Sequence, residues 1–185
     1  MQTRYVTLGI ALLMLTGIVG AAEAKDQHVH WKASFSGGAV NTQSDTNGDG
    51  SKGGFDSGGF KGTLGSGTFQ GVNEYVFSGP GTCPNGNEGF IVTLLPGTGH
   101  SFYRFDNTGD LLFVEISSST LCFDPITTLQ FYSWVDNITG GTGRFAGATG
   151  SITGSGTAKT LFDDGAGNFL AAISSTAEGT IILTK

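Results

Sequence analysis

Residues 138–150 read Ile-Thr-Gly-Gly-Thr-Gly-Arg-Phe-Ala-Gly-Ala-Thr-Gly, five glycines in thirteen positions. An alternating apolar run precedes this stretch and a Gly/Thr/Ser-rich run follows it, so it reads as a β-bend-β unit. Its glycines free the backbone where a Cβ would clash, and Phe145 is the one bulky group available to anchor the bend in a core, with Arg144 expected near the surface. A Gly-Gly-Thr-Gly bend also invites a phosphate-loop reading. No Lys-Ser/Thr follows it, and strands flank it on both sides, so a barrel bend is the better assignment.

The rest of the chain shares this character. Val29, Trp31, Ala33 and Phe35 alternate with His28, His30, Lys32 and Ser34, which is the period of a half-buried strand. Phe69, Gly71, Asn73, Tyr75 and Phe77 alternate in the same way over 68–77, Leu112, Val114 and Ile116 over 110–122, and Gln130, Tyr132, Trp134 and Ile138 over 128–139. No window of the chain beyond residue 24 carries an apolar i, i+3, i+4, i+7 recurrence over three turns, so long helices are not expected there. Short strands at roughly ten-residue spacing, separated by glycine turns, indicate an all-β sandwich or barrel of about eight or nine strands. Bulky residues on both faces of strand 128–139 favour the barrel. Residues 38–67 are dominated by Gly, Asp, Asn, Ser and Thr and read as a long loop, with at most a weak strand near 60–64.

Compartment is read from the two ends of the composition. Residues 1–24 have a short positive start, an apolar stretch and Ala22-Glu23-Ala24, the pattern of a cleaved signal peptide, leaving 25–185 as one β-barrel domain. The expected localisation is secreted or periplasmic, without stable membrane insertion of the mature chain. A formal net charge of −6 leaves no dense basic stripe for a phosphate backbone, which excludes nucleic acid as a partner. Cys83 and Cys122 both lie in the exported part, and one disulfide between them is the simplest outcome, with a pair of buried free thiols as the alternative. Such a bridge closes a loop of about forty residues, worth roughly 3–4 kcal/mol in chain-entropy models.

Two groups of polar residues are candidates for chemistry. Asp45, Asn47, Asp49, Ser51 (through its carbonyl) and Asp56 have the spacing of a twelve-residue calcium loop, with Gly50 at the sharp turn. Lys52 and the short Asp56 depart from that pattern, and a solvated Asx/Gly loop is the alternative, so a structural calcium is the one cofactor the residues suggest. Glu74 and Glu115 sit mid-strand among apolar neighbours. If their face is the interior, each is a desolvated carboxylate with a raised pKa or a partner of Arg104; if it is the exterior, each is an ordinary solvated acid. With Tyr103 they form the weak catalytic candidate set Glu74, Glu115, Tyr103 and Arg104. No nucleophile-elbow pattern is present.

Residues 137–152 together resemble the strand-loop-strand signature of the allene oxide cyclase/dirigent-like β-barrel superfamily, in its secreted bacterial form of uncharacterised function, where it follows a Leu-Cys-Phe-Asp strand end and an Asp-x-Asn-Gly-Asp-Gly loop. The resemblance implies a single antiparallel barrel of about eight strands. It carries a fold rather than an active site, because no cyclisation or radical-coupling residue of that superfamily matches here. Three functional expectations follow. The first is a non-catalytic barrel binding a small apolar ligand or a partner surface. The second is a structural or surface module with a calcium-stabilised loop, and the third a cyclase or isomerase that confines its substrate. The last requires at least two of its four candidate groups to converge inside the barrel.

Overall fold

The computed structural model describes residues 26–43, 45 and 48–184, so the leader expected at 1–24 and the candidate ligand Asn47 lie outside the described residues. Nine strands run in chain order: β1 (Gln27–Asn41), β2 (Lys52–Gly62), β3 (Gly65–Thr82), β4 (Glu88–Leu94), β5 (Gly99–Phe105), β6 (Leu111–Asp124), β7 (Leu129–Gly141), β8 (Thr149–Asp163) and β9 (Phe169–Leu183). All pairings are antiparallel. The sheet closes because β1 pairs along its whole length with β9, from Gln27 opposite Leu183 to Asn41 opposite Phe169, while its other edge pairs with β2. Between β3 and β6, two short strands share one place in the ring: β5 pairs along 67–72 of β3 and β4 along 75–82. The ring therefore has eight positions, the closed all-β barrel expected from the alternation.

The segment 38–67 departs from the sequence reading. Strand β1 continues to Asn41 and β2 fills most of the supposed loop, leaving 42–51 and 63–64 as connections. The glycines of β2 report crowding, not turns. Gly58 faces Gly37 across the pair, and a Cβ on Gly58 would lie 2.9 Å from the ring of Phe69, so small residues are what allow these strands to meet. Composition resembling a loop thus conceals a strand whose neighbours supply the bulk.

One end of the barrel is solid. Trp31, Phe35, Phe60, Phe69, Tyr103 and Phe105 point inward and pack edge to face, Trp31 lying 5.9 Å from Phe60 at 88° and 5.3 Å from Tyr103 at 70°. The bend after β7 closes this end. A 3-10 turn at Gly143–Phe145 drops Phe145, fully buried, onto Phe105 with 4.8 Å between ring centroids. Arg144 stays at the surface, as expected, and lies 4.7 Å from the centroid of each ring. Its guanidinium donates to the carbonyl of Leu64 (3.3 Å) and approaches Asp110 (3.6 Å). Gly143 (φ +56°) and Gly150 (φ +133°) require glycine twice over, since a Cβ there would also overlap Asp110 and the carbonyl of Thr180 respectively.

At the other end, Cys83 and Cys122 form a disulfide, Cα atoms 5.5 Å apart, joining the turn after β3 to strand β6. Asp124, two residues on, is fully buried and gathers both neighbouring turns. It accepts from the Thr127 hydroxyl (2.6 Å), the amides of Asn87 (2.8 Å) and Asn85 (2.7 Å), and the Ile126 N–H (2.8 Å). Those donors, Thr127 foremost, hold its carboxyl well below the usual carboxylate range. The outer wall also carries apolar side chains, with Val72, Phe55, Val40, Leu170 and Phe162 paired in one exposed row across five strands.

Candidate ligand-binding site

Above the aromatic plug the barrel is hollow, with a cavity of about 440 Å³ beneath the connections 42–51, 83–87, 125–128 and 164–168. Strand alternation builds its walls. Val92, Leu121 and Ile173 point inward from different strands, with Phe77, Phe90, Phe123 and Phe169 nearer the rim. Where the walls are thin, inward positions carry Ala39, Ala158 and Ser175. Trp134 lies across β8 at Gly154, where any Cβ would overlap its ring, and stacks on Tyr132 at 5.6 Å and 25°. At the rim, the Gln43 N–H donates to Asn168 (2.7 Å) and its side-chain amide to the Gly167 carbonyl (3.1 Å), tying two mouth connections together.

The floor is polar at one point. Asp136 of β7 is 1% exposed and accepts from the Tyr103 hydroxyl (2.8 Å) and the Trp134 indole N–H (3.1 Å) through the same oxygen, Oδ2. Its Oδ1 has no hydrogen-bond partner among the described residues. Burial drives its pKa up to about 7 against the two donated bonds, and the charge of Asp56 adds to the push. Asp56, inward on β2 between Ala39 and Gly71, is itself raised to about 6 by burial. A side chain on Gly71 would run into both Asp56 and Ser101, so glycine there keeps open the space between these two polar groups. Burial also raises the phenols: Tyr75 to about 12, Tyr132 upward, and Tyr103 well upward with the charge of Asp136 reinforcing it. All three stay neutral at ordinary pH.

The structure divides the candidates named from sequence. Tyr103 faces the cavity floor. Glu74, Glu115 and Arg104 occupy the opposite, outward register, Glu115 paired between His100 and Asn137, and Glu74 accepting from the Ser51 hydroxyl (3.3 Å). Only one of the four groups enters the interior, so the convergence required of a confining cyclase built on them is not met. The residues of the calcium-loop reading are divided too. Asp56 is a strand residue inside the barrel, and the Asp45 carboxylate accepts from the N–H groups of Gly48 (2.6 Å, at Oδ1) and Gly50 (2.8 Å, at Oδ2). Asp49 accepts from the Ser51 N–H (2.8 Å). The four described residues of the set thus split between a self-bonded turn and the cavity wall. Among the described residues no group of three His, Cys, Asp or Glu is placed to hold a metal ion.

Sequence reasoning missed Asp136. Its signal was available: it shares the inward parity of Gln130, Tyr132, Trp134 and Ile138, and an acid on the bulky face of a central strand is the anomaly that burial makes chemically active.

No protein-family model matches the chain, and no curated protein matches it by sequence. Among solved structures, a pterocarpan synthase dirigent protein matches at 13% identity over 88% of this chain and 87% of that one, with a TM-score of 0.25. MucB in complex with MucA(peri) matches at 10% identity over 80% and 88%, with a TM-score of 0.16. The first is of the dirigent class that residues 137–152 resemble. Overlaps this low carry no argument of their own, and the barrel rests on the strand pairing described above. No helix among the described residues is long and apolar enough to cross a membrane.

Proposed function

We propose that this is an exported binding barrel that holds a small, largely apolar ligand in its open half. The observation that carries the reading is the combination of a 440 Å³ aromatic-walled hollow with one buried, half-partnered carboxylate at its floor. That volume is in the range of small-molecule sites, and a few fixed polar groups on apolar walls are how such sites orient what they bind. Export is supported by the Cys83–Cys122 disulfide, since such bonds persist in oxidising compartments. The neutral apolar dye N-phenyl-1-naphthylamine tests the reading: it should bind saturably, one per barrel, with enhanced fluorescence. Ser119→Trp, which fills the cavity from a half-buried wall position, should abolish the enhancement while leaving the fold intact by circular dichroism. Dye binding indifferent to that substitution would place the ligand elsewhere.

A cyclase or isomerase that works by confinement retains one supporting observation, the Tyr103–Asp136 hydrogen bond at the floor. Binding is favoured because that pair uses its donated proton to satisfy Asp136 and leaves no second group from the candidate set beside it.

A further inference from the structure

The cavity is lopsided in charge. Asp56, Asp136 and, at the rim, Asp163 line it, whereas no Lys, Arg or His among the described residues does. The two deep acids sit against rings: Phe35, Phe69, Tyr103, Tyr132 and Trp134 surround the same space. Carboxylates enclosed by apolar walls are costly to ionise without a compensating partner, and Asp136 keeps an oxygen with no donor among the described residues. The faces of those rings carry the negative end of the aromatic quadrupole, which attracts an organic cation and repels an anion. The overall charge of −6 works in the same sense on the approach from solvent.

We infer that the ligand is a small organic cation, an amine or quaternary ammonium on an aromatic or aliphatic skeleton, with its charged nitrogen seated between Asp56, Asp136 and the surrounding rings. This rests on the binding reading above and deepens it by naming the ligand's chemistry. The carboxylates supply the countercharge and the rings the box around the nitrogen, while Phe77, Phe90 and Leu121 receive the apolar skeleton. A protonated amine also donates a hydrogen bond to the free Oδ1 of Asp136, which a quaternary nitrogen does not, so the two subclasses differ in their dependence on that one oxygen.

Three probes of one shape separate the outcomes. Phenethyltrimethylammonium is the cation, (3,3-dimethylbutyl)benzene its neutral carbon isostere, and 3-phenylpropanoate the anion. Binding at pH 8 is followed by the fluorescence of Trp134, the only other tryptophan, Trp31, being sealed in the packed end. The cation should bind at least tenfold tighter than the isostere, and the anion should not bind measurably. The combined substitution Asp56→Asn/Asp136→Asn should bring the first ratio to about one. An isostere that binds wild type as well as the cation does overturns the cation assignment. So does binding of the dye with none of the three probes, and in both cases a hydrophobic binding barrel survives. If neither the probes nor the dye bind, the binding reading itself falls.

Discussion

The two ends of this barrel follow one rule of alternation and reach opposite results. In the packed end, large inward rings sit where glycine leaves room: the ring of Phe60 fills the space a side chain on Gly67 would need, and that of Phe69 crowds Gly58. In the open end the inward positions include Ala39, Ala158 and Ser175 among the aromatic walls, and a cavity of about 440 Å³ remains between them. The packed end carries the stability and frees the other end to tolerate a buried acid.

The sharpest way to break that division is to truncate the plug. Phe145→Ala removes a fully buried ring against Phe105 and should cost about 3–5 kcal/mol, lowering Tm by roughly 6–20 °C. An unchanged melting curve would deny Phe145 its anchor role and with it the assignment of stability to this end. Next in size is the staple at the opposite end. Replacing Cys83 and Cys122 together by Ser should cost about 3–4 kcal/mol, the loop entropy of a 39-residue separation. Because the open end has less packing to hold its rim, the loss should appear first as faster hydrogen exchange in the 83–87 and 125–128 turns, which Asp124 binds together. Uniform exchange over both ends would mean that the two halves unfold as one.

The acid at the cavity floor gives the next effect, with a definite sign. The Asp136 carboxyl titrates near 3.8 when unfolded and about 7 when folded, so between those values the folded state holds the extra proton. The contribution of Asp136 to stability is therefore largest below about pH 4, falls as pH rises to about 7 and is flat beyond, a loss on the order of 4 kcal/mol. Asp56, raised to about 6, adds in the same direction over the lower part of the window. Of the other titratable groups facing the cavity, Tyr75, Tyr103 and Tyr132 remain neutral throughout, and Asp163 sits at the exposed rim. Asp136→Asn keeps an acceptor for Tyr103 and Trp134 and should flatten most of the slope in urea titrations between pH 4 and 7. A slope that survives would place the titrating group elsewhere.

How far the sequence made this legible depends on what each residue's neighbours supply. The bend at 138–150 was readable because glycine there answers to backbone geometry, a local property, and Phe145 and Arg144 fell where the pattern puts them. The pairing of Cys83 with Cys122 was readable because only two cysteines exist. Strand β2 was not, because Gly54, Gly58 and Gly62 look like a turn until Asn73, Phe69 and Trp31 are seen pressing on the places their side chains would take. Asp56 was misread for the same reason: once 45–56 is taken as one loop, its carboxylate belongs to a calcium pattern, whereas the strand turns it into the barrel beside Ser101. Glu74 and Glu115 drew attention over Asp136 because apolar residues flank them in sequence, yet parity, which places Asp136 with Trp134 and Ile138, is what decides burial in a strand.

The smallest expected effect isolates the open end from stability altogether. Phe77 lines the cavity, is 64% exposed and touches Phe90 at 6.1 Å between centroids, so its ring is present at the mouth without being enclosed by it. Phe77→Ala should change stability by no more than about 0.5 kcal/mol, the range for surface positions. The same truncation that is severe at Phe145 is thus nearly silent in thermal unfolding. It should still be visible in binding, because the lost ring is part of the apolar wall a ligand's skeleton would meet: dye affinity should fall several-fold while the melting curve stays in place. A matched loss of stability and affinity would show that the rim is packed structure after all, and that the division between a structural end and a binding end is misdrawn at this residue.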